Sequence, residues 1–315
     1  MMSSARLVYP NRPIGQKLFL PDHLSSFKLP HSKARHPMAP KIAIVTGAAS
    51  GIGKHFAGVL AGSGDAYRLA LADINEAGLR DVFVPGDRVR LHRLDVRSVQ
   101  DWQALIDDTL QAFGRIDYLF NIAGGGRLGY LLDQPVENVD FVIDVNLKGP
   151  VIGMKLVAEI MAQQGGGHII NVGSLAGLSP TPGNALYSAA KSGLRAASLA
   201  AAVELRKQGV YVTLIAPDVV DTPLTQQHYE QPQAAALIYS GSRVLTVQDL
   251  EAAFFKAMRD KPLEINLPRW RGWLAKTNSL YPPLMLKLYE PLKKRGLKRL
   301  EENRLLRGFA QKSNS

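Results

Sequence analysis

From Lys41 onward, short apolar runs alternate with longer amphipathic stretches. The runs Ile42–Thr46, Arg68–Asp73, Val89–Asp95, Tyr118–Asn121, His168–Val172, Tyr211–Ile215 and Glu264–Leu267 read as strands. Most are Val, Ile and Leu with little alternation of polarity, the pattern of strands buried on both faces. Between them lie helical stretches. Val99–Phe113 is one, with Ser98 placed to cap it and Asp101 three residues later. Pro135–Gln164 and Gly183–Gln208 are long enough to hold the major helices. Strand and helix alternating at this spacing predict an α/β fold, a doubly wound parallel sheet of Rossmann type, as a single domain over residues 41–267.

Both ends depart from this rhythm. Residues 1–40 contain prolines, scattered serines and no sustained apolar period, which predicts an extension without fixed structure. The segment is acid-poor and contains Arg and Ser, as a targeting peptide does, while Met38 directly before the first strand offers an alternative start. In residues 268–315, prolines and tryptophans precede Leu284, Leu288, Leu292, Leu297 and Leu300 set in a Lys/Arg-rich surface. That is a basic amphipathic appendage, suited either to an anionic membrane or to packing on the body or a subunit partner. Pro291 is expected to interrupt any continuous helix there. Trp270 and Trp273, flanked by arginines, suit stacking on a ligand or a membrane interface, and packing in the core or against a subunit is the expected use.

Charge sharpens this division. The net charge of the 315 residues is +11. Residues 1–41 carry seven Lys/Arg against one Asp, and residues 262–315 carry twelve against four acids, so the body between them is near neutral. A nucleic-acid-binding domain would instead spread positive charge over a folded face, so no nucleic-acid partner is expected. Cysteine is absent, which removes disulfides, thiolate nucleophiles and cysteine metal sites. The seven histidines form no ligand-spaced cluster with carboxylates, and no metal is expected. No apolar run approaches the roughly 18 residues of a membrane span. A cytoplasmic protein is expected, with organelle targeting or peripheral membrane attachment as alternatives.

Thr46-Gly47-Ala48-Ala49-Ser50-Gly51-Ile52-Gly53 follows the first strand and opens a helix. Glycines there allow a sharp turn and close approach to a pyrophosphate, and the helix start offers free N–H groups. Asp73 ends the second strand, 20 residues beyond Gly53, where an adenosine ribose should lie. Its carboxylate can accept from both ribose hydroxyls and repels a 2′-phosphate by about 4 kcal/mol at 4 Å and an effective dielectric of about 20. NAD is therefore expected rather than NADP. Lys54, just after the last glycine, is expected to point to solvent.

Tyr187-Ser188-Ala189-Ala190-Lys191 sets a phenol and an ammonium at i and i+4, on one helix face. A tyrosine of ordinary pKa near 10 is a poor base at neutral pH, and a nearby Lys⁺ is expected to lower it. Ser174 follows the strand His168–Val172, at the carboxyl end where open α/β sheets bind ligands.

At this point the chain resembles the short-chain dehydrogenase/reductase family over roughly residues 41–267. The family's TGxxxGxG motif stands at Thr46–Gly53, its NNAG at Asn121-Ile122-Ala123-Gly124 and its YxxxK at Tyr187–Lys191. The family serine aligns with Ser174 and the family asparagine with Asn146. The resemblance implies that Tyr187 exchanges the substrate proton. Lys191 would bind the nicotinamide ribose, Ser174 would position the substrate oxygen, and Asn146 would hold a water linking Lys191 to solvent. For the cofactor it implies adenine contacts at Asp95 and Val96, and a channel lined by Asn121, Ala123 and Gly124. Pro217, Val220 and Thr222 would lie by the carboxamide, and Gly47, Ser50, Gly51, Ile52 and Gly53 by the phosphates. Two positions depart from the pattern. Asp218 replaces the glycine that usually follows Pro217, and Ile122 replaces the second Asn of NNAG.

The expected reaction is reversible hydride transfer between NAD(H) and a secondary alcohol or its ketone. The segment from Val219 to about Val244 should close the substrate pocket, and its Leu224, Tyr229, Leu237 and Tyr239 suggest a hydrophobic substrate such as a lipid, steroid or ring ketone. Family resemblance implies a homodimer or homotetramer. Two rivals stand beside this reading: a non-catalytic NAD-binding regulatory protein, and a membrane-surface protein acting through its basic tail.

Overall fold

The computed structural model describes residues 39–313 apart from residue 242, with side chains through residue 305. Nearly all of the extension expected over residues 1–40 lies outside the described residues. The strands β1 (Lys41–Thr46), β2 (Tyr67–Asp73), β3 (Val89–Arg93), β4 (Tyr118–Asn121), β5 (Gly167–Val172), β6 (Val210–Pro217) and β7 (Glu264–Leu267) form one sheet. Its order is β3-β2-β1-β4-β5-β6-β7, and every pairing is parallel. β3 stops at Arg93, short of the expected Asp95, because the Asp95 amide turns away to donate to Asp101 Oδ2 at 2.9 Å.

Helices cover both faces. α1 (Gly51–Gly62), α2 (Glu76–Arg80) and α3 (Val99–Phe113) follow the first three strands. Ser98 caps α3 as expected, accepting from the Asp101 amide at 3.1 Å and donating to Asp101 Oδ1 at 2.8 Å. The long stretch after β4 divides into α4 (Glu137–Ile143), a π-helical turn at Asp144–Lys148 and α5 (Gly149–Gln163). α6 (Ala185–Glu204) follows β5. The chain after β6 forms α7 (Gln227–Glu230), α8 (Pro232–Ala235), α9 (Val247–Asp260), α10 (Arg269–Leu280) and α11 (Pro283–Ser313).

Alternation along each strand decides which core a residue enters. In β1, Ala43 and Val45 face Phe56 of α1, Leu79 of α2 and Phe254 of α9. Ile44 faces the other way, toward Trp102 of α3, Val157 of α5 and Ala202 of α6. Phe56 stacks on Phe254 with centroids 4.2 Å apart and meets Phe120 edge-on at 5.0 Å, geometries worth about 0.5–1.5 kcal/mol each beyond buried area.

Two expectations about the appendage are corrected. α11 runs straight through Pro291 instead of being interrupted. Contacts on both sides of the proline offset the lost hydrogen bond: the Tyr289 hydroxyl bonds the Tyr130 hydroxyl at 3.2 Å before it, while after it Gly296 lies against the Ala236 carbonyl and Leu300 is 3% exposed among Leu128, Val219 and Tyr239. Trp270 and Trp273, expected in the core or against a subunit, are 53% and 73% exposed, which removes the core and leaves the surface uses.

Trp102 is fully buried and its Nε1 donates to the Val96 carbonyl at 2.9 Å, fixing the loop after β3. Its ring lies where a Cβ on Gly153 would stand, at 2.4 Å. Gly153→Ala is therefore expected to destabilise the domain by about 1–3 kcal/mol, read as a lower denaturant midpoint at unchanged slope.

Candidate active site

Gly47 and Gly51 take φ of 71° and 52°, values that L side chains rarely adopt, and bend the chain from β1 into α1. Gly53 packs so close that a Cβ there would meet the Gly47 carbonyl at 2.1 Å. α1 then starts with no acid in its first turn, and the Ser50 side chain makes no capping bond. Its leading amides therefore face the cleft without a built-in anion, which fits a phosphate group. Gly47, Ser50, Gly51, Ile52 and Gly53 all line that cleft. So does Asp73, whose Oδ2 accepts from the Ala49 amide at 3.0 Å and whose Oδ1 accepts from the Asn75 amide at 2.9 Å. The carboxylate thus braces the glycine loop from the ribose side. Lys54 is exposed.

Asp95 and Val96 also line the cleft. Arg97, beside them, is tied to Asp95 at 2.7 Å, and that bond holds the Asp95 carboxyl below its usual range. Arg97 therefore does not stand as a free cation for a 2′-phosphate. Asp73→Ala is expected to narrow an NAD-over-NADP preference by about ten- to a hundredfold, measured as the ratio of kcat/KM for the two cofactors.

Thr46 joins the glycine loop to the loop after β4. Its Oγ1 accepts from the amides of Ile122 at 3.0 Å and Ala123 at 3.1 Å. Ala123 and Gly124 consequently reach the cleft wall. Asn121 does not, contrary to expectation. It is 3% exposed, and its Nδ2 donates to Asn171 Oδ1 at 2.9 Å and the Pro150 carbonyl at 3.1 Å. The cleft floor depends on it, but it is not among the residues lining the cleft.

The structure brings Ser174, Tyr187, Lys191 and Asn146 to one end of the cleft. Ser174 and Tyr187 line the same end, where Ser174 counters part of the burial-driven rise in the tyrosine's pKa, and the Ser174 Oγ accepts from the Ala176 amide at 3.1 Å. Lys191 is 4% exposed and its Nζ donates to the Val172 carbonyl at 2.9 Å, 5.6 Å from the centre of the Tyr187 ring. Asn146 sits in the π-helical turn, where the Gly149 amide reaches back five residues to Asp144. Its amide group is fully engaged, donating to the Gly125 and Val142 carbonyls at 2.7 and 2.9 Å and accepting from the Gly125 amide at 3.2 Å. A methyl on Gly124 would stand 3.1 Å from Asn146 Oδ1 and 3.8 Å from Lys191 Nζ, so these groups share one small space.

Burial dominates the titration of the pair. It pushes the Tyr187 phenol up to about 12, opposed by the nearby Ser174, and brings the Lys191 ammonium down to about 8. The expected lowering of Tyr187 by Lys191 is absent here, because the ammonium is directed at the Val172 carbonyl rather than at the phenol oxygen. At neutral pH Tyr187 therefore holds its proton.

Pro217, Val220 and Thr222 line the same end. The unusual Asp218 has a partner that the strand–helix pattern did not reveal. Arg271 of α10 donates to it at 2.8 Å, with the two side chains 17% and 8% exposed. Burial raises the Asp218 carboxyl while the guanidinium opposes the rise. The acid in place of glycine thus anchors the appendage. Arg271→Ala would leave a buried carboxylate unpaired, and a loss of about 3–5 kcal/mol is expected in denaturant unfolding.

Beyond Ser174 the cleft widens into a cavity of about 620 Å³ in total, including the groove just described. Leu224 and Leu237 of the segment after β6 line it as expected, whereas Tyr229 and Tyr239 pack behind it with Leu128 and Leu300. The far wall comes from the appendage, through Leu274, Leu284, Met285, Leu288 and Leu292. His228 also lines it, its Nδ1 bonded to the Tyr239 hydroxyl at 3.2 Å and its pKa lowered by burial to about 4. Neither His228 nor this wall was foreseen. Among the described residues no group of three His, Asp or Glu side chains could hold a metal ion.

A glycine-looped nucleotide cleft opening on a Ser/Tyr/Lys cluster, with the lysine buried beneath it, defines an oxidoreductase of the Rossmann type. Residues 41–233 match the family model of the short chain dehydrogenases, and the chain belongs to that family. It is 33% identical over 232 residues to an uncharacterized oxidoreductase of Staphylococcus aureus strain MW2, an alignment spanning 73% of this chain and 95% of the relative. Among solved structures, a short chain dehydrogenase/reductase from Burkholderia phymatum in complex with NAD superposes with a TM-score of 0.70 at 28% identity, covering 80% of this chain and 97% of that one. A 3-ketoacyl-(acyl-carrier-protein) reductase from Brucella melitensis complexed with NADH gives 0.63 at 26% identity, covering 74% and 99%.

Proposed function

We propose that this oxidoreductase interconverts a secondary alcohol and its ketone with NAD(H), and that its substrate is hydrophobic. The observation carrying the reading is the placement of Ser174, Tyr187 and Lys191 together where the cofactor groove meets an apolar cavity. NAD, when bound, supplies or accepts the hydride. The solved relatives that carry NAD or NADH, together with Asp73 and the acid-free start of α1, support that cofactor.

In reduction, Tyr187 gives its phenolic proton to the ketone oxygen, and Ser174 donates a second hydrogen bond that fixes that oxygen. In oxidation, Tyr187 must first lose its proton. Its raised pKa makes the phenolate scarce at neutral pH, so oxidation is the direction that gains as pH rises. Lys191 lies close enough to respond to the tyrosine's charge, and Asn146 braces the Gly124–Gly125 loop beside it. The leucine wall excludes water from the reacting oxygen and favours a substrate with an apolar body.

Tyr187→Phe is expected to lower turnover at least a hundredfold, about the share of a positioned acid, while NAD still binds as measured by calorimetry. In the native enzyme, alcohol oxidation should rise with pH through the alkaline range. Ketone reduction should stay level through neutrality and fall only at high pH, because it needs the phenol. Profiles in both directions, followed by absorbance of the reduced cofactor across a panel of secondary alcohols and ketones, test this. Turnover retained by the Phe variant would remove Tyr187 from the mechanism.

A further inference from the structure

We propose that the outward face of α10 docks on an anionic lipid bilayer and that the substrate cavity opens toward that bilayer. The second half rests on the hydrophobic-substrate reading above; the docking itself does not. α10 has the reverse of the usual polarity for a surface helix. Its inward face is small and polar: Gly272 and Ala275 are buried, Arg271 pairs with Asp218, Asn278 Nδ2 donates to Ser179 Oγ at 2.6 Å, and Ser279 donates to the Leu178 carbonyl. Its outward face carries Trp270, Trp273 and Leu280, which are 53%, 73% and 84% exposed. These positions fall within one half of the helical circumference. Tyr281 at the helix end and Leu286 at the start of α11 continue the patch, at 59% and 84% exposed.

The patch leads into the cavity. Leu274 is 49% exposed and also lines the cavity, and so does Leu288 at 39%. An apolar path therefore runs from the outer surface of α10 toward Ser174 and Tyr187. A substrate dissolved in water needs no such path, whereas one dissolved in lipid does.

Charge selects the occupant. Residues 262–315 carry twelve Lys/Arg against four acids. Arg269 on α10 and Lys287, Lys294, Arg295 and Lys298 on α11 are exposed and form no ion pair among the described residues. A second copy meeting this face by two-fold symmetry would set like charges against each other. An anionic leaflet attracts them, and tryptophan is favoured at headgroup depth. No helix among the described residues is long and apolar enough to cross a membrane, so the contact is face-on, as for an interfacial helix.

The test uses the full chain with sedimented vesicles of phosphatidylcholine containing phosphatidylserine, compared with phosphatidylcholine alone. The native protein is expected to bind the anionic vesicles more tightly and to release as salt rises. The double variant Trp270→Ser, Trp273→Ser is expected to lose at least about tenfold in binding. Neither tryptophan lines the cavity, so kcat/KM toward a short water-soluble secondary alcohol should stay unchanged, while the apparent KM for a vesicle-dissolved alcohol rises. Absence of native binding to anionic vesicles would overturn the proposal, as would equal binding by the variant or indifference to phosphatidylserine. If the variant instead loses self-association in gel filtration without any vesicle binding, the occupant is a second copy and the proposal is wrong. Vesicle binding requires no turnover, so failure of the docking proposal and failure of the alcohol dehydrogenase reading are separately visible.

Discussion

In a parallel sheet each strand delivers its carboxyl end to the same rim, and the helix that follows starts there with unpaired amides. That alignment places the groups of this site next to one another although they are distant in sequence. β1 ends at Thr46 and the glycine loop, β2 at Asp73, β4 just before Ala123, β5 just before Ser174, and β6 at Pro217. The strand order changes direction between β1 and β4, which opens the crevice for a nucleotide between the loops that follow them. Thr46 spans that crevice's base by accepting two amides from the loop after β4.

Around this rim the chain buries groups that ordinarily stay in water. Asn121, Asn171 and Ser198 tie β4, β5 and α6 together inside the core, each with hydrogen-bond partners. Lys191 keeps a carbonyl partner at 4% exposure, and Asp218 keeps Arg271. Each is costly to bury and more costly to strand, so each fixes its element in one position. Desolvation at the start of α6 also raises the Tyr187 phenol, so the packing of that helix reaches its protonation.

The C-terminal appendage completes the cavity rather than merely decorating the domain. α10 is held inward by hydrogen bonds and an ion pair, and α11 by Leu300 and the close approach of Gly296 to Ala236. Its apolar side chains are thereby divided. Some line the cavity beside Ser174 and Tyr187, and some remain at the outer surface.

Much of this could be read from residues alone. The seven strands, the glycine loop with Asp73, and the Ser174, Tyr187 and Lys191 cluster were legible because they depend on local rules: buried-strand composition, glycine turns, and helical spacing at i and i+4. Asn146 and the cofactor contacts were reached through family resemblance. What stayed hidden depends on which elements touch. Asn121 reads as a ligand-facing residue until Asn171, fifty positions away, takes its amide. Pro291 reads as a break until packing on both sides holds the helix together. Asp218 reads as an unexplained substitution until Arg271 arrives from a segment with no visible link to β6. The sequence by itself determined the fold class and the glycine loop, since both follow from short-range pattern, and named the candidates Ser174, Tyr187 and Lys191. Tertiary structure alone decided the protonation of Tyr187, the far wall of the cavity and the face α10 presents, because burial and pairing are properties of long-range contacts.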